Sequence, residues 1–187
     1  MKKHVFTTAA AVFAIVLLFS SCKKETVTPD DPNIVYKSLN KTINTISGAA
    51  TIDSLDLNND GVSEIYVQFI NSGADTGGVV FTQFAQQIGF VAEGISPAPY
   101  AKLFHSGDMT PSSASVYYST VYPVIKVSGY RLALQSGEGY LAFRFSTGTK
   151  FSYGWMKISV NTSLTELKIL EYAYSIVPDT PIAVGAK

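Results

Sequence analysis

The chain has one cysteine among 187 residues, which excludes an internal disulfide framework and any zinc site built on paired cysteines. Charge is scarce too, at 15% of residues, and balanced at 14 basic against 14 acidic side chains. With no run of five like charges, the sequence has no electrostatic footprint for nucleic acid, which is excluded as a partner. Histidine is nearly absent: beyond His4 there is only His105. No Gly-x-Ser-x-Gly elbow accompanies it, so a serine hydrolase lacks its nucleophile-and-base pair, and Phe104-His105-Ser106-Gly107-Asp108 reads as a polar turn. Dinucleotide, Walker-type and His-Glu-x-x-His patterns are missing as well. The sequence therefore specifies no reaction.

What is present begins with an address. Lys2 and Lys3 precede an apolar run from Ala9 to Phe19, then Ser20, Ser21 and Cys22, the order of an export signal. As a helix that run reaches about 16 Å, well short of a bilayer core of about 30 Å, so it is not a membrane span. Phe19-Ser20-Ser21-Cys22 resembles the bacterial lipobox, which implies cleavage after residue 21 and acylation of Cys22. At about 0.8 kcal/mol per buried CH₂, two or more acyl chains anchor a protein firmly to a membrane. Cys22-Lys23-Lys24-Glu25 resembles the start of Bacteroidota surface lipoproteins, implying an outer-membrane location facing the cell surface. Residues 1–21 are then the signal peptide. Residues 22–33, with Pro29 and Pro32 and almost nothing apolar, form the acylated cysteine and a flexible tether, and 34–187 form one domain.

Within that domain the hydrophobic period is two. Ile65, Val67 and Phe69 fall on one strand face, Tyr140 to Phe145 and Trp155 to Val160 repeat the alternation, and Leu167 to Tyr172 is a further strand. Ser136-Gly137-Glu138-Gly139 and Thr147-Gly148-Thr149-Lys150 supply turns. Phe81, Phe84, Ala85 and Ile88 have helical spacing, but Val79-Val80-Phe81 and the glycines bracketing the stretch favour two short strands over a helical turn. The expected fold is all-β, an antiparallel β-sandwich, jelly-roll-like, with at most one short helix.

One segment carries chemistry. Residues 56–64 read Asp-Leu-Asn-Asn-Asp-Gly-Val-Ser-Glu, with oxygen donors at positions 1, 3, 5 and 9 and glycine at position 6, the spacing of a calcium loop. The expected ligands are Asp56, Asn58, Asp60, the Val62 carbonyl and Glu64, with Asp53 a further candidate if the chain bends back. Position 12 is Val67 and the flanks read as strands, so this is not an EF-hand. It resembles the strand-loop-strand calcium loops of surface proteins, which implies a structural Ca²⁺. The competing reading is a wet hairpin turn whose Asn-Asp-Gly supplies only geometry.

Gly139 to Phe145, Tyr153-Gly154-Trp155-Met156-Lys157-Ile158, Glu171-Tyr172-Ala173-Tyr174 and Pro181-Ile182-Ala183-Val184-Gly185 resemble the late signature of a family of uncharacterised Bacteroidota-type secreted β-rich lipoproteins. Asp56 to Gly61 matches that family's early Asp-rich loop, and Ser106-Gly107-Asp108 its middle turn. The resemblance spans most of residues 50–185 and implies a cell-envelope β-sandwich, without an activity.

The sequence thus reads as a cell-envelope lipoprotein held to the membrane by its N-terminal lipid. Its calcium-stapled sandwich has a binding or structural role toward a glycan or protein at the surface. The alternative is a surface glycan hydrolase using a carboxylate pair drawn from Glu93, Glu138, Glu166 and Glu171. Tyr117, Tyr118, Tyr122 and Tyr130 offer either an aromatic binding platform or ordinary strand packing.

Overall fold

The structure is a computed structural model that describes residues 31–44, 50–73, 76–82, 88–94, 99–127, 130–134 and 136–187. The segment expected to be an export signal, Cys22 and most of the expected tether lie outside the described residues, as do Phe84 and Ala85.

The chain is an all-β sandwich. Its strands are Ile34–Asn44 (β1), Ala50–Leu55 (β2), Ile65–Gly73 (β3), Thr76–Thr82 (β4), Gly89–Gly94 (β5), Tyr100–Ala101 (β6) and Leu103–Phe104 (β7). Tyr117–Tyr118 (β8), Thr120–Val127 (β9), Tyr130–Ala133 (β10), Gly137–Thr147 (β11), Lys150–Val160 (β12) and Glu166–Ser175 (β13) complete the set. The one helical element described is a 3₁₀ turn at Ala114–Val116. One layer runs β1-β13-β12-β11-β5, the other β9-β4-β3-β2 with β10 beside β9. The pairings are antiparallel except at Tyr100–Tyr122, where β6 meets β9 in parallel and carries the hydrogen bonding from one layer to the other.

Alternation decides which side chains meet between the layers. Ile65, Val67 and Phe69 of β3, with Phe81 of β4, pack in one core with Leu141, Phe143 and Phe145 of β11 and Met156, Ile158 and Val160 of β12. Each such side chain removed from water contributes about 2 kcal/mol. The helical spacing across residues 81–88 is coincidental at its ends, because Phe81 lies in β4 and Ile88 directly precedes β5.

β13 departs from strict alternation. Lys157 pairs with Glu171 while Ile158 pairs with Ile169, and β1 skips in the same place, from Ser38–Glu171 to Lys41–Ile169. Leu170 is thus the extra residue of a bulge, which shifts the phase of everything after it. Leu167 and Ile169 face the core before it, and Tyr172 and Tyr174 face the core after it.

The outer face of the β13-β12-β11 layer is also covered. Trp155, Ala142, Ala173 and Val91 form a second apolar cluster with Phe104, Ile182 and Val184. The C-terminal segment is held there by backbone bonds from Gly107 N–H to Val184 O, Thr110 N–H to Ile182 O and Val184 N–H to Asp108 O. The Trp155 indole N–H adds a bond to Ala186 O at 3.2 Å.

Gly154 of β12 lies beneath the Phe143 ring, where a Cβ would come within 2.5 Å of both Phe143 Cζ and the Ala173 carbonyl oxygen. Because one of these atoms is backbone, the clash cannot be relieved by a rotamer change. Gly154→Ala is expected to cost about 3 kcal/mol, measured by urea denaturation. A variant as stable as the parent would show that the β11-β12-β13 layer is more loosely packed at this point than these distances imply.

Candidate metal centre

The nine-residue loop joins β2 to β3, and its turn is closed by the Glu64 N–H donating to Leu55 O at 2.9 Å. Its short polar side chains bond to the loop's own backbone. Asp56 Oδ1 accepts from the N–H groups of Asn59 and Asp60, and Asp56 Oδ2 accepts from Gly61 N–H at 2.8 Å. Asn58 Oδ1 accepts from Asp60 N–H and Asp60 Oδ1 from Val62 N–H. Gly61, at φ +88°, and Asn59, at φ +63°, sit in the left-handed region that a tight reversal requires.

This folding draws three carboxylates to one place: ligand atoms from Asp56, Asp60 and Glu64 all lie within 4.8 Å of one another. Atoms bound to one ion at about 2.4 Å cannot be more than about 5 Å apart, a spacing the triad meets, so it could hold a metal ion. Glu64 differs from the other two in being only 1% exposed. Its Oε2 accepts the Leu57 N–H at 2.6 Å, whereas Oε1 is buried with no hydrogen-bond partner. An unpartnered buried carboxylate oxygen is costly, and a cation facing the triad removes that cost.

Leu57 ties the loop to the opposite layer. Its side chain is fully buried, and its carbonyl accepts a 3.0 Å bond from the hydroxyl of Tyr172 on β13. Burial, with the charges of Tyr174, Asp56 and Glu64, pushes the Tyr172 phenol up to about 12. Burial also pushes the Glu64 carboxyl above its ordinary 4.5. The Leu57 N–H opposes this shift, and the neighbouring charges of Asp60 and Asp56 reinforce it.

Of the expected ligands, Asp56, Asp60 and Glu64 converge. Asn58 lies against Asp60, its Nδ2 donating to Asp60 Oδ2 at 3.0 Å, and Val62 is engaged through its N–H. Asp53 does not join them: its Oδ1 takes the Lys41 ammonium at 2.8 Å instead. Both flanks are strands, in keeping with a loop that is not an EF-hand. The contribution of Tyr172 has no local sequence signal, since 115 residues separate it from Leu57.

The other candidates are placed elsewhere. The His105 imidazole is 93% exposed, 3.6 Å from Asp108, in a turn. Glu138 pairs with Lys157, Glu166 with Lys168, and Glu171 with Lys187, while Glu93 is exposed on β5. Tyr117 and Tyr118 point to opposite faces, one against the outer apolar cluster and one against the main core. They form no shared platform, and the Tyr130 side chain lies outside the described ones. No protein-family model, curated protein or solved structure matches the chain.

A carboxyl whose folded pKa is raised destabilises the fold when ionised. The effect is absent below its unfolded pKa and grows as pH rises through the folded value. In the presence of a chelator, Glu64→Gln is therefore expected to stabilise the protein by about 1–3 kcal/mol at pH 7. The gain should fade as pH falls through the raised folded value toward the ordinary 4.5 of Glu64 and be gone below it. Thermal melts across pH check this, and a variant less stable than the parent throughout would contradict the orphaned-oxygen account.

Proposed function

We propose that the protein is a lipid-anchored cell-envelope protein whose β-sandwich, stapled by a structural Ca²⁺, serves a binding or structural role at the cell surface. The observation that carries the ion is Glu64 Oε1, buried without a partner inside an acidic triad. An all-oxygen donor set suits hard divalent cations and not zinc or copper. Alternating donors along a flexible turn suit calcium, which tolerates irregular shells of six to eight oxygens, better than magnesium. Asn58 Oδ1 and the Val62 carbonyl supply further neutral ligands, and water completes the shell. The role is structural because the loop joins two strands and is anchored through Leu57 to β13.

The address is supported by the order basic, apolar, small, cysteine over residues 2–22 and by the proline-containing tether before β1. Acylation of Cys22 holds the chain to the outer membrane, and the acidic residues after it favour the outer face.

Two measurements test this reading. Calcium at 100 times its dissociation constant should stabilise the purified protein by about 2.7 kcal/mol relative to chelator. Asp60→Ala should abolish the difference, and identical melts with and without calcium would reduce the loop to a turn. Labelled palmitate should enter the parent chain in a bacterial host and be absent from Cys22→Ala. Equal labelling of the two would remove the anchor.

A further inference from the structure

Away from the ion loop, the outer face of the β11-β12 layer carries a hollow of 340 Å³ whose lining includes Leu103, Phe104, His105, Glu138, Tyr140 and Lys157. It lies where β7 pairs with β11 through Tyr140–Phe104 and Leu141–Leu103, just before the chain turns away at His105. The volume is at the small end of ligand cavities, which span roughly 300 to 1,000 Å³, and admits one ring rather than an extended chain.

The lining restricts the chemistry of an occupant. Glu138 Oε2 and Lys157 Nζ are 2.6 Å apart, so an acceptor and a donor stand side by side with their charges cancelled. An anion would be opposed by Glu138 and by Glu171, which pairs across the strands with Lys157. A cation would be opposed by Lys157. A wholly apolar molecule would desolvate the ion pair without replacing its hydration. A vicinal diol answers both groups at once, with one hydroxyl donating to the carboxylate and its neighbour accepting from the ammonium. Tyr140 and Phe104, which line the hollow on the outer side, offer apolar surface to C–H groups.

The geometry points to a binding site for one neutral sugar residue of a glycan, with Glu138 and Lys157 gripping adjacent hydroxyls. It depends on neither the ion nor the lipid. A reporter is built in: Trp155 is the single tryptophan, fully buried, and its ring meets Tyr140 edge-on at 5.6 Å between centroids. The full chain, in detergent, would be titrated with cellotetraose, maltotetraose and mannotetraose, and with trigalacturonate as the acidic control, following Trp155 emission. A saturable change with at least one neutral probe is expected. Glu138→Gln and Lys157→Met should each weaken it about tenfold, the loss of one charged hydrogen bond. Melting temperature should move little, because an ion pair that is half open to water through Glu138 adds little stability. Silence toward all three neutral probes, a response to trigalacturonate alone, or binding that both variants leave intact would overturn the assignment.

Discussion

Glu64 holds the β2–β3 loop in shape, and it does so with one oxygen only. Oε2 takes the Leu57 N–H, the residue's own N–H returns to Leu55, and Leu57 is thereby fixed where Tyr172 can reach its carbonyl. Asp56 and Asp60 are explained by the turn alone, because their oxygens accept the backbone donors that a tight reversal leaves over. A plain turn needs nothing more from Glu64 than Oε2. The second oxygen, buried and unpartnered, is the feature that a turn leaves unexplained and a cation explains. This one atom bears on the choice between a metal ion and a plain turn, which the sequence pattern leaves open.

The bulge at Leu170 is the second constraint, since it links the two faces of the layer. Were Leu170 an ordinary strand residue and not a bulge, strict alternation after Ile169 would turn Glu171 and Ala173 inward and Tyr172 outward. With it, Tyr172 enters the core and bonds to Leu57, while Glu171 emerges beside Lys157 and accepts from the Tyr36 hydroxyl at 2.6 Å. One inserted residue thus places the loop's anchor inside and the charged row outside.

These facts set the limits of what was legible in the sequence. Ile65, Val67 and Phe69 announced their face because β3 has alternating burial, and the donors of the Asp56–Glu64 loop announced themselves by spacing. β12 was harder to read: from Ser152 to Met156 it is buried on both sides, so alternation says strand without saying what covers the outer face. The cover comes from Phe104, Ile182 and Val184, remote in sequence and held mainly by backbone hydrogen bonds that carry no side-chain signature. Trp155 consequently belongs to the outer cluster rather than the main core. The phase of Tyr172 was hidden for a related reason, since a bulge is set by the register of its neighbours.

The ends of the hydrogen-bonded path bear on the ion site as well. β1 and β2 are edge strands, each paired on one side, and exposed edges invite pairing with other chains. Lys41 of β1 spans them, its ammonium reaching both Asp53 Oδ1 and the Ser54 carbonyl of β2. A charged side chain laid along the edge blocks strand addition there. The same contact occupies Asp53 with a fixed cation, and Asp53 Oδ1 also accepts the Ser54 N–H. The carboxylate three residues upstream of Asp56 is thereby held apart from the Asp56, Asp60 and Glu64 cluster. Among the described residues, the acidic cluster that could hold a metal ion is thus Asp56, Asp60 and the buried Glu64.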